Sequence, residues 1–137
     1  MAVETPAAIR VPIRSDGDIV LARQAGRTLA SQQGFRSSDL TLLATAISEV
    51  ARNIVSYASA GEIELSMVRQ GSRSGVEVIA RDQGPGIPDI SLAMQDGYST
   101  GRSLGLGLPG AKRLMDEFEI ASEVGIGTTI KMTKWAR

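Results

Sequence analysis

Apolar and polar residues first alternate at Ile9, Val11 and Ile13, which are interleaved with Arg10, Pro12 and Arg14. That two-residue period predicts a short strand with one buried face, and Pro12, which lacks a backbone N–H, confines it to a sheet edge. The period then lengthens. Ser15 or Asp16 can cap a helix carrying Ile19, Val20, Leu29 and Ala30, with Gly34 as its C′ residue. Ser37, Ser38 and Asp39 open a second helix, in which Leu40, Leu43, Ile47, Val50, Ala51, Ile54 and Ala58 form one apolar stripe, and Gly61 is expected to end it. Alternation returns at Ile63, Leu65 and Met67 and again at Val76, Val78 and Ala80, predicting a hairpin that turns over Gly71 to Gly75 and runs to Asp82. From Gln83 to Pro109 the chain is rich in glycine, contains three prolines and has little periodicity. A stretch of that length exceeds an ordinary connection and predicts a functional loop, read here as a lid. A helix is expected over Gly110 to Glu117, anchored by Leu106, Leu108 and Leu114. A last hairpin follows, Phe118 to Val124 and Thr128 to Lys134 across Gly125-Ile126-Gly127.

This order of elements implies an α/β sandwich of the α+β type, with one mixed sheet and helices packed on one face. It lacks the strand–helix alternation of a doubly wound fold. One domain over 1–137 is expected, with 1–8 flexible. Composition narrows the chemistry. Lys plus Arg and Asp plus Glu number fifteen each, so the basic excess that drives nucleic-acid binding is missing. With no cysteine and no histidine, disulfides, thiolate nucleophiles, imidazole bases and the usual zinc ligands are excluded. Aromatic residues make up 4%, too few for base-stacking platforms. No apolar run approaches the roughly eighteen residues of a membrane span, and the start does not read as a signal peptide, so a cytoplasmic protein without membrane or nucleic-acid partners is expected. Catalysis would have to run on carboxylates, amides, hydroxyls, backbone groups and a borrowed metal.

Three constellations carry such groups. Glu49, Arg52 and Asn53 lie on the polar side of the second helix, and Glu49 and Asn53, four apart, share a face. A carboxylate beside a carboxamide oxygen suits hydroxyl activation and Mg²⁺ binding, although taken alone the trio also fits a solvated helix face. The second constellation is Asp82-Gln83-Gly84-Pro85-Gly86-Ile87-Pro88, directly after a strand. The alternation that turns Val76, Val78 and Ala80 inward also turns Asp82 inward, so its carboxylate is expected in a largely buried, apolar setting that calls for a donor such as the exocyclic amine of adenine. Gly84 and Gly86 would let a flat ring approach the backbone; a plain strand-ending turn is the other reading. The third is Ser99-Thr100-Gly101-Arg102-Ser103-Leu104-Gly105-Leu106-Gly107-Leu108-Pro109-Gly110, glycines that can present amides to a phosphate ahead of a helix N-terminus. Its G-x-G-x-x-G match is not a dinucleotide fingerprint, because the preceding stretch is polar rather than a strand. Nor is it a P-loop, because Ala111-Lys112 follows Gly110.

With these blocks in this order, from about Ile9 to Trp135, the chain resembles the GHKL, or Bergerat-fold, ATP-binding superfamily. The polar helix looks like its N box, the Asp82 stretch like its G1 box, and Gly105-Leu106-Gly107-Leu108 like its G2 box, with the ATP lid between. Having neither a phosphoacceptor histidine nor room for transducer domains, it is most similar to the stand-alone serine-kinase and anti-sigma-factor branch, above all the switch serine/threonine kinases of the bacterial stressosome. The resemblance implies that Asn53 binds Mg²⁺, that Glu49 is the base or orienting carboxylate for the attacking hydroxyl, and that Asp82 holds the adenine amine of ATP. It further implies a nucleotide pocket shaped by Gly84, Gly86 and Ile87, by Thr100, Gly101, Gly105, Leu106, Gly107 and Leu108, and by Thr128 or Thr129. The partners it implies are STAS-domain substrates of a stressosome-like complex and, after their phosphorylation, a PP2C-type phosphatase. The alternatives are a nucleotide-gated anti-sigma factor or binding switch without essential kinase activity, and a simple ATPase.

Overall fold

The computed structural model describes residues 8–95 and 107–137. Its strands are β1 (Ile9–Ile13), β2 (Gly61–Gln70), β3 (Arg73–Asp82), β4 (Glu117–Glu123) and β5 (Gly127–Trp135), and its helices α1 (Asp16–Ser31), α2 (Ser37–Tyr57), α3 (Ile90–Ala93) and α4 (Gly107–Leu114). The five strands form one sheet in the order β1-β2-β3-β5-β4.

Each face of this sheet follows from the alternation along its strands. Ile63 and Leu65 of β2, Val76, Val78 and Ala80 of β3, and Ile130 and Met132 of β5 point to one side and are buried with Ile47, Val50, Ala51 and Ile54 of α2. The opposite side carries charges in cross-strand positions. Arg10 pairs with Glu64, Arg81 reaches both Glu62 and Glu64, and Lys131 lies against Glu77. Such exposed pairs each contribute at most about 1 kcal/mol, so burial of the apolar face is what fixes the register. The helices therefore cover one face, as the pattern predicts, and β1 is the expected edge.

Every strand pairing is antiparallel, which corrects the expectation of a mixed sheet. The connection through α3 and α4 does return β4 parallel to β3, but β5 inserts between the two and pairs with both. In this central position Ile130 and Met132 of β5 face the core and are buried.

Other boundaries also shift. Gly34 takes the left-handed conformation expected near the end of α1. Gly61 does not end α2; there Ser59 has the positive φ, and Gly61 starts β2, where a Cβ would stand 2.4 Å from the Arg81 carbonyl oxygen. The β2–β3 turn is confined to Gly71 and Ser72, and Gly75 lies within β3. The loop expected over 83–109 contains α3, whose N-terminal Leu92 N–H donates to the Asp89 carboxylate at 3.0 Å. The remainder of the expected lid, 96–106, lies outside the described residues. Val20, expected on the apolar side of α1, is exposed.

Trp135 belongs to a corner at the far end of β5. Its backbone N–H donates to Asp116, its indole Nε1–H donates to Glu117, and the Arg73 guanidinium sits 4.3 Å from its ring centroid. Buried Lys134 donates from Nζ to the carbonyl of Leu114, the last residue of α4, where the helix dipole favours a cation. Arg73→Ala is expected to cost about 0.5–1 kcal/mol, the scale of a cation–π contact at an exposed site. Trp135 is the single tryptophan, so its fluorescence during urea unfolding reports the change directly.

Candidate nucleotide site

Two clusters stand over the helix-covered face of the sheet. The first is a row of three polar residues across three strands. Asp82 of β3 is directly opposite Thr128 of β5, and Thr128 is directly opposite Ser122 of β4. Residues so placed in antiparallel strands project to the same face with Cβ atoms about 4.5–5.5 Å apart. Each stands where its strand's inward apolar series ends: Asp82 after Val78 and Ala80, Ser122 after Phe118 and Ile120, Thr128 before Ile130 and Met132.

This row is wired to the loop that follows β3. The Gly84 N–H donates to Asp82 Oδ1 at 2.9 Å, closing a tight turn, and the Ile87 N–H donates to Ser122 Oγ at 2.7 Å. Ser122 Oγ also lies 2.8 Å from Thr128 Oγ1 and donates to the Gly127 carbonyl at 3.2 Å. Thr128 is buried, while Asp82 and Ile87 are half-buried. Asp82 is thus more open than the largely buried carboxylate expected, because it stands at the strand's end where the apolar layer stops. A carboxylate offers about four lone-pair positions, of which the Gly84 N–H takes one, so it can still accept a hydrogen bond from a ligand.

The glycines of the loop meet protein atoms rather than open space. A Cβ on Gly84 would stand 2.6 Å from the Ala58 Cβ at the end of α2, and one on Gly86, at φ +80°, would stand 2.4 Å from the Glu123 carbonyl oxygen. Gly127, at φ +148°, is tighter still, with the Asp82 carbonyl oxygen 2.1 Å from a Cβ position. Here the glycines let the loop pack between α2 and the β4–β5 turn, a role not anticipated for Gly84 and Gly86.

The second cluster joins α2 to α4. Glu49 is 4% exposed, which overturns the reading of a solvated helix face. The cause is α4, which packs against α2 over the very side that carries Glu49. A buried carboxylate needs partners, and among the described residues Glu49 has two. The Arg52 guanidinium donates to both carboxylate oxygens, at 3.1 and 2.8 Å, and the Gly107 N–H donates to Oε1 at 3.2 Å. Gly107 has φ +69°, a conformation that favours glycine, and it starts α4. Asn53, one turn beyond Glu49, is half-buried, and Leu108 is buried in the core.

Structure therefore groups Asp82, Gly84, Gly86, Ile87 and Thr128 around one loop, and Glu49 and Gly107 around another contact. Thr100, Gly101, Gly105 and Leu106 lie outside the described residues. Sequence reasoning missed Ser122 and gave Arg52 no role. Ser122 had a signal, since it is the polar residue in the inward series of β4, but its partners depend on strand order. Among the described residues no group of three or more carboxylates gathers as a metal site. Mg²⁺ needs few protein ligands, since phosphate oxygens and water complete its shell, and the Asn53 carboxamide oxygen is a hard donor that could serve as one of them. Among the described residues no helix is long and apolar enough to cross a membrane.

A family model described as a histidine kinase-like ATPase domain matches residues 14–134. The serine/threonine-protein kinase RsbT of Bacillus subtilis (strain 168) is 52% identical over 127 residues, covering 93% of this chain and 96% of RsbT. The anti-sigma F factor of Thermoanaerobacter sp. (strain X514) is 31% identical over 120 residues, 83% of this chain and 82% of that protein. Among solved structures, the mycobacterial sensor histidine kinase MprB aligns with a TM-score of 0.56 at 16% identity, over 96% of this chain and 99% of that one. A chain of the SiaB–SiaC complex from Pseudomonas aeruginosa aligns with a TM-score of 0.59 at 14% identity, over 96% and 90%. At those identities the two structures speak for the fold alone.

Proposed function

Because the chain belongs to the histidine kinase-like ATPase family, we propose that it is an ATP- and Mg²⁺-dependent protein serine/threonine kinase acting in a bacterial partner switch. The observation that carries the reading is the buried Glu49 carboxylate at the start of α4, with Asn53 one turn further along the same helix. The 52% identity to RsbT supports the same reaction class.

In this reading Asp82 accepts a hydrogen bond from the adenine amine, and the loop from Gly84 to Ile87, with Thr128, frames the ring. The backbone amides at the start of α4 and its positive dipole end favour the phosphates. Glu49 takes the proton of the substrate hydroxyl as that oxygen bonds to the γ-phosphorus and the bond to the β–γ bridging oxygen breaks, leaving ADP. Arg52 holds both oxygens of Glu49 and so fixes the direction in which the carboxylate faces. Mg²⁺ bound through Asn53 would neutralise charge on the phosphates. Thr100, Gly101, Gly105 and Leu106 are assigned to the same nucleotide site, and the protein to the cytoplasm. The proposed substrates are STAS-domain proteins of a stressosome-like complex, and the released kinase activates a PP2C-type phosphatase.

The test is transfer of labelled γ-phosphate from Mg-ATP to a purified STAS-domain protein. Acid-stable label on a serine or threonine, lost with both Glu49→Ala and Asp82→Asn, is the expected result. ATP binding without any transfer would instead favour a second reading, a nucleotide-gated binding switch, for which the 31% identity to anti-sigma F factors speaks. Under that reading Glu49→Ala keeps partner binding in full. Phosphate release with no protein acceptor would leave a plain ATPase.

A further inference from the structure

The polar row across β3, β5 and β4 carries more information than the position of one carboxylate. We propose that Ser122 is a specificity-determining residue: it fixes the direction of the Thr128 hydroxyl so that the base site presents only acceptors, and thereby selects adenine over guanine. The proposal rests on the nucleotide reading above and adds to it a residue that contacts the base only through Thr128.

The argument is a count of protons and lone pairs. A serine hydroxyl has one proton to donate and two lone pairs to accept with. Among the described residues Ser122 Oγ has three hydrogen-bonding neighbours. The Ile87 N–H, at 2.7 Å, can only donate and takes one lone pair. The Gly127 carbonyl, at 3.2 Å, can only accept and takes the proton. The third neighbour, Thr128 Oγ1 at 2.8 Å, then meets the remaining lone pair and has to donate. This arrangement satisfies Ser122 completely, as a part-buried hydroxyl requires.

A consequence follows for Thr128. Its proton is spent on Ser122, so any capacity it has left is acceptor capacity. Asp82, directly across on β3, is acceptor-only when ionised. Two neighbouring residues thus offer lone pairs and no proton. An amine at position 6 of a purine satisfies them, directly or through a bridging water, whereas the donors of guanine, N1–H and the N2 amine, lie elsewhere on the ring and reach this place only if the whole base shifts. Guanine places a carbonyl oxygen where adenine carries its amine, so lone pairs would face lone pairs, and buried groups left unpaired are what give polar sites their selectivity. Ser122 joins this network from β4 and meets one residue far away in sequence, Ile87. A tether alone would need only the Ile87 contact. The added contacts to Gly127 and Thr128 are what set a direction.

The experiment measures ATP and GTP affinity side by side, by titration calorimetry with Mg²⁺, for the wild type, Ser122→Ala, Ser122→Thr and Asp82→Asn. Wild type is expected to prefer ATP by well over tenfold. In Ser122→Ala the Thr128 proton is free to turn toward the base, and the ATP-to-GTP preference should narrow at least tenfold; Ser122→Thr, which keeps the hydroxyl, should restore it. A purely structural role for Ser122 would weaken both nucleotides alike and leave their ratio unchanged, and that result overturns the proposal. Should Ser122→Ala not fold, Ser122→Cys, with its weak hydrogen bonding, carries the same expectation, and an unchanged ratio there is equally fatal. Failure of the underlying reading looks different: wild type binds no ATP, or Asp82→Asn binds it as well as wild type does.

Discussion

Glu49→Gln is expected to lower phosphoryl transfer by about 10²–10⁴-fold, the usual contribution of a positioned general base, while ATP still binds. The substitution keeps the shape of the side chain and an amide oxygen able to accept from the Gly107 N–H, so the start of α4 stays in place. What it removes is the negative charge and the proton affinity. The Arg52 side chain is 38% exposed and can turn to water, so no unpaired buried cation is left and the melting temperature should change little. Glu49→Ala differs in a way that separates two roles. It also deletes the acceptor for Gly107, so it should loosen α4 and weaken ATP binding as well as transfer. Single-turnover transfer beside calorimetric ATP affinity for both variants is the measurement. If Glu49→Gln transfers phosphate at nearly the wild-type rate while Glu49→Ala does not, the carboxylate serves to hold α4 and is not the base.

Asp82→Asn is expected to weaken ATP binding by about 1–3 kcal/mol, the scale of a mismatched buried hydrogen bond. Each 1.4 kcal/mol is about tenfold in dissociation constant, so a tenfold to hundredfold loss should appear in calorimetry. Asparagine keeps an oxygen for the Gly84 N–H and preserves the turn, which makes the variant a test of recognition rather than folding. Its other oxygen is replaced by the carboxamide NH₂, which would face the amine of adenine, donor against donor. Binding as tight as wild type would remove Asp82 from the base site.

The fold class and the rough positions of strands and long helices could be read from periodicity, because Ile63, Leu65, Val76, Val78 and Ala80 alternate without a break and the α2 stripe keeps helical spacing. The loop after Asp82 was visible as a glycine pattern, whereas the helix expected over Gly110 to Glu117 starts three residues earlier, at Gly107. Less was legible at α3, since four residues give no period to detect, and at Gly61, Gly84 and Gly86. Those glycines read as a helix end and as ligand clearance; they are needed instead where a Cβ would strike a neighbouring strand, helix or turn.

By itself the sequence determined which residues could do chemistry, since without cysteine or histidine only carboxylates, amides and hydroxyls remained, and it determined which positions belong to one apolar face. Both are local properties, set by side-chain type and by the period of the backbone. Only the tertiary structure decided that β5 lies between β3 and β4, which brings Ser122 and Asp82 to either side of Thr128, and that α4 covers Glu49 and buries it against Arg52 and the Gly107 N–H. Strand order and helix docking rest on contacts between residues distant in the chain. These depend on how whole apolar faces fit together, and no local period along the chain encodes that fit.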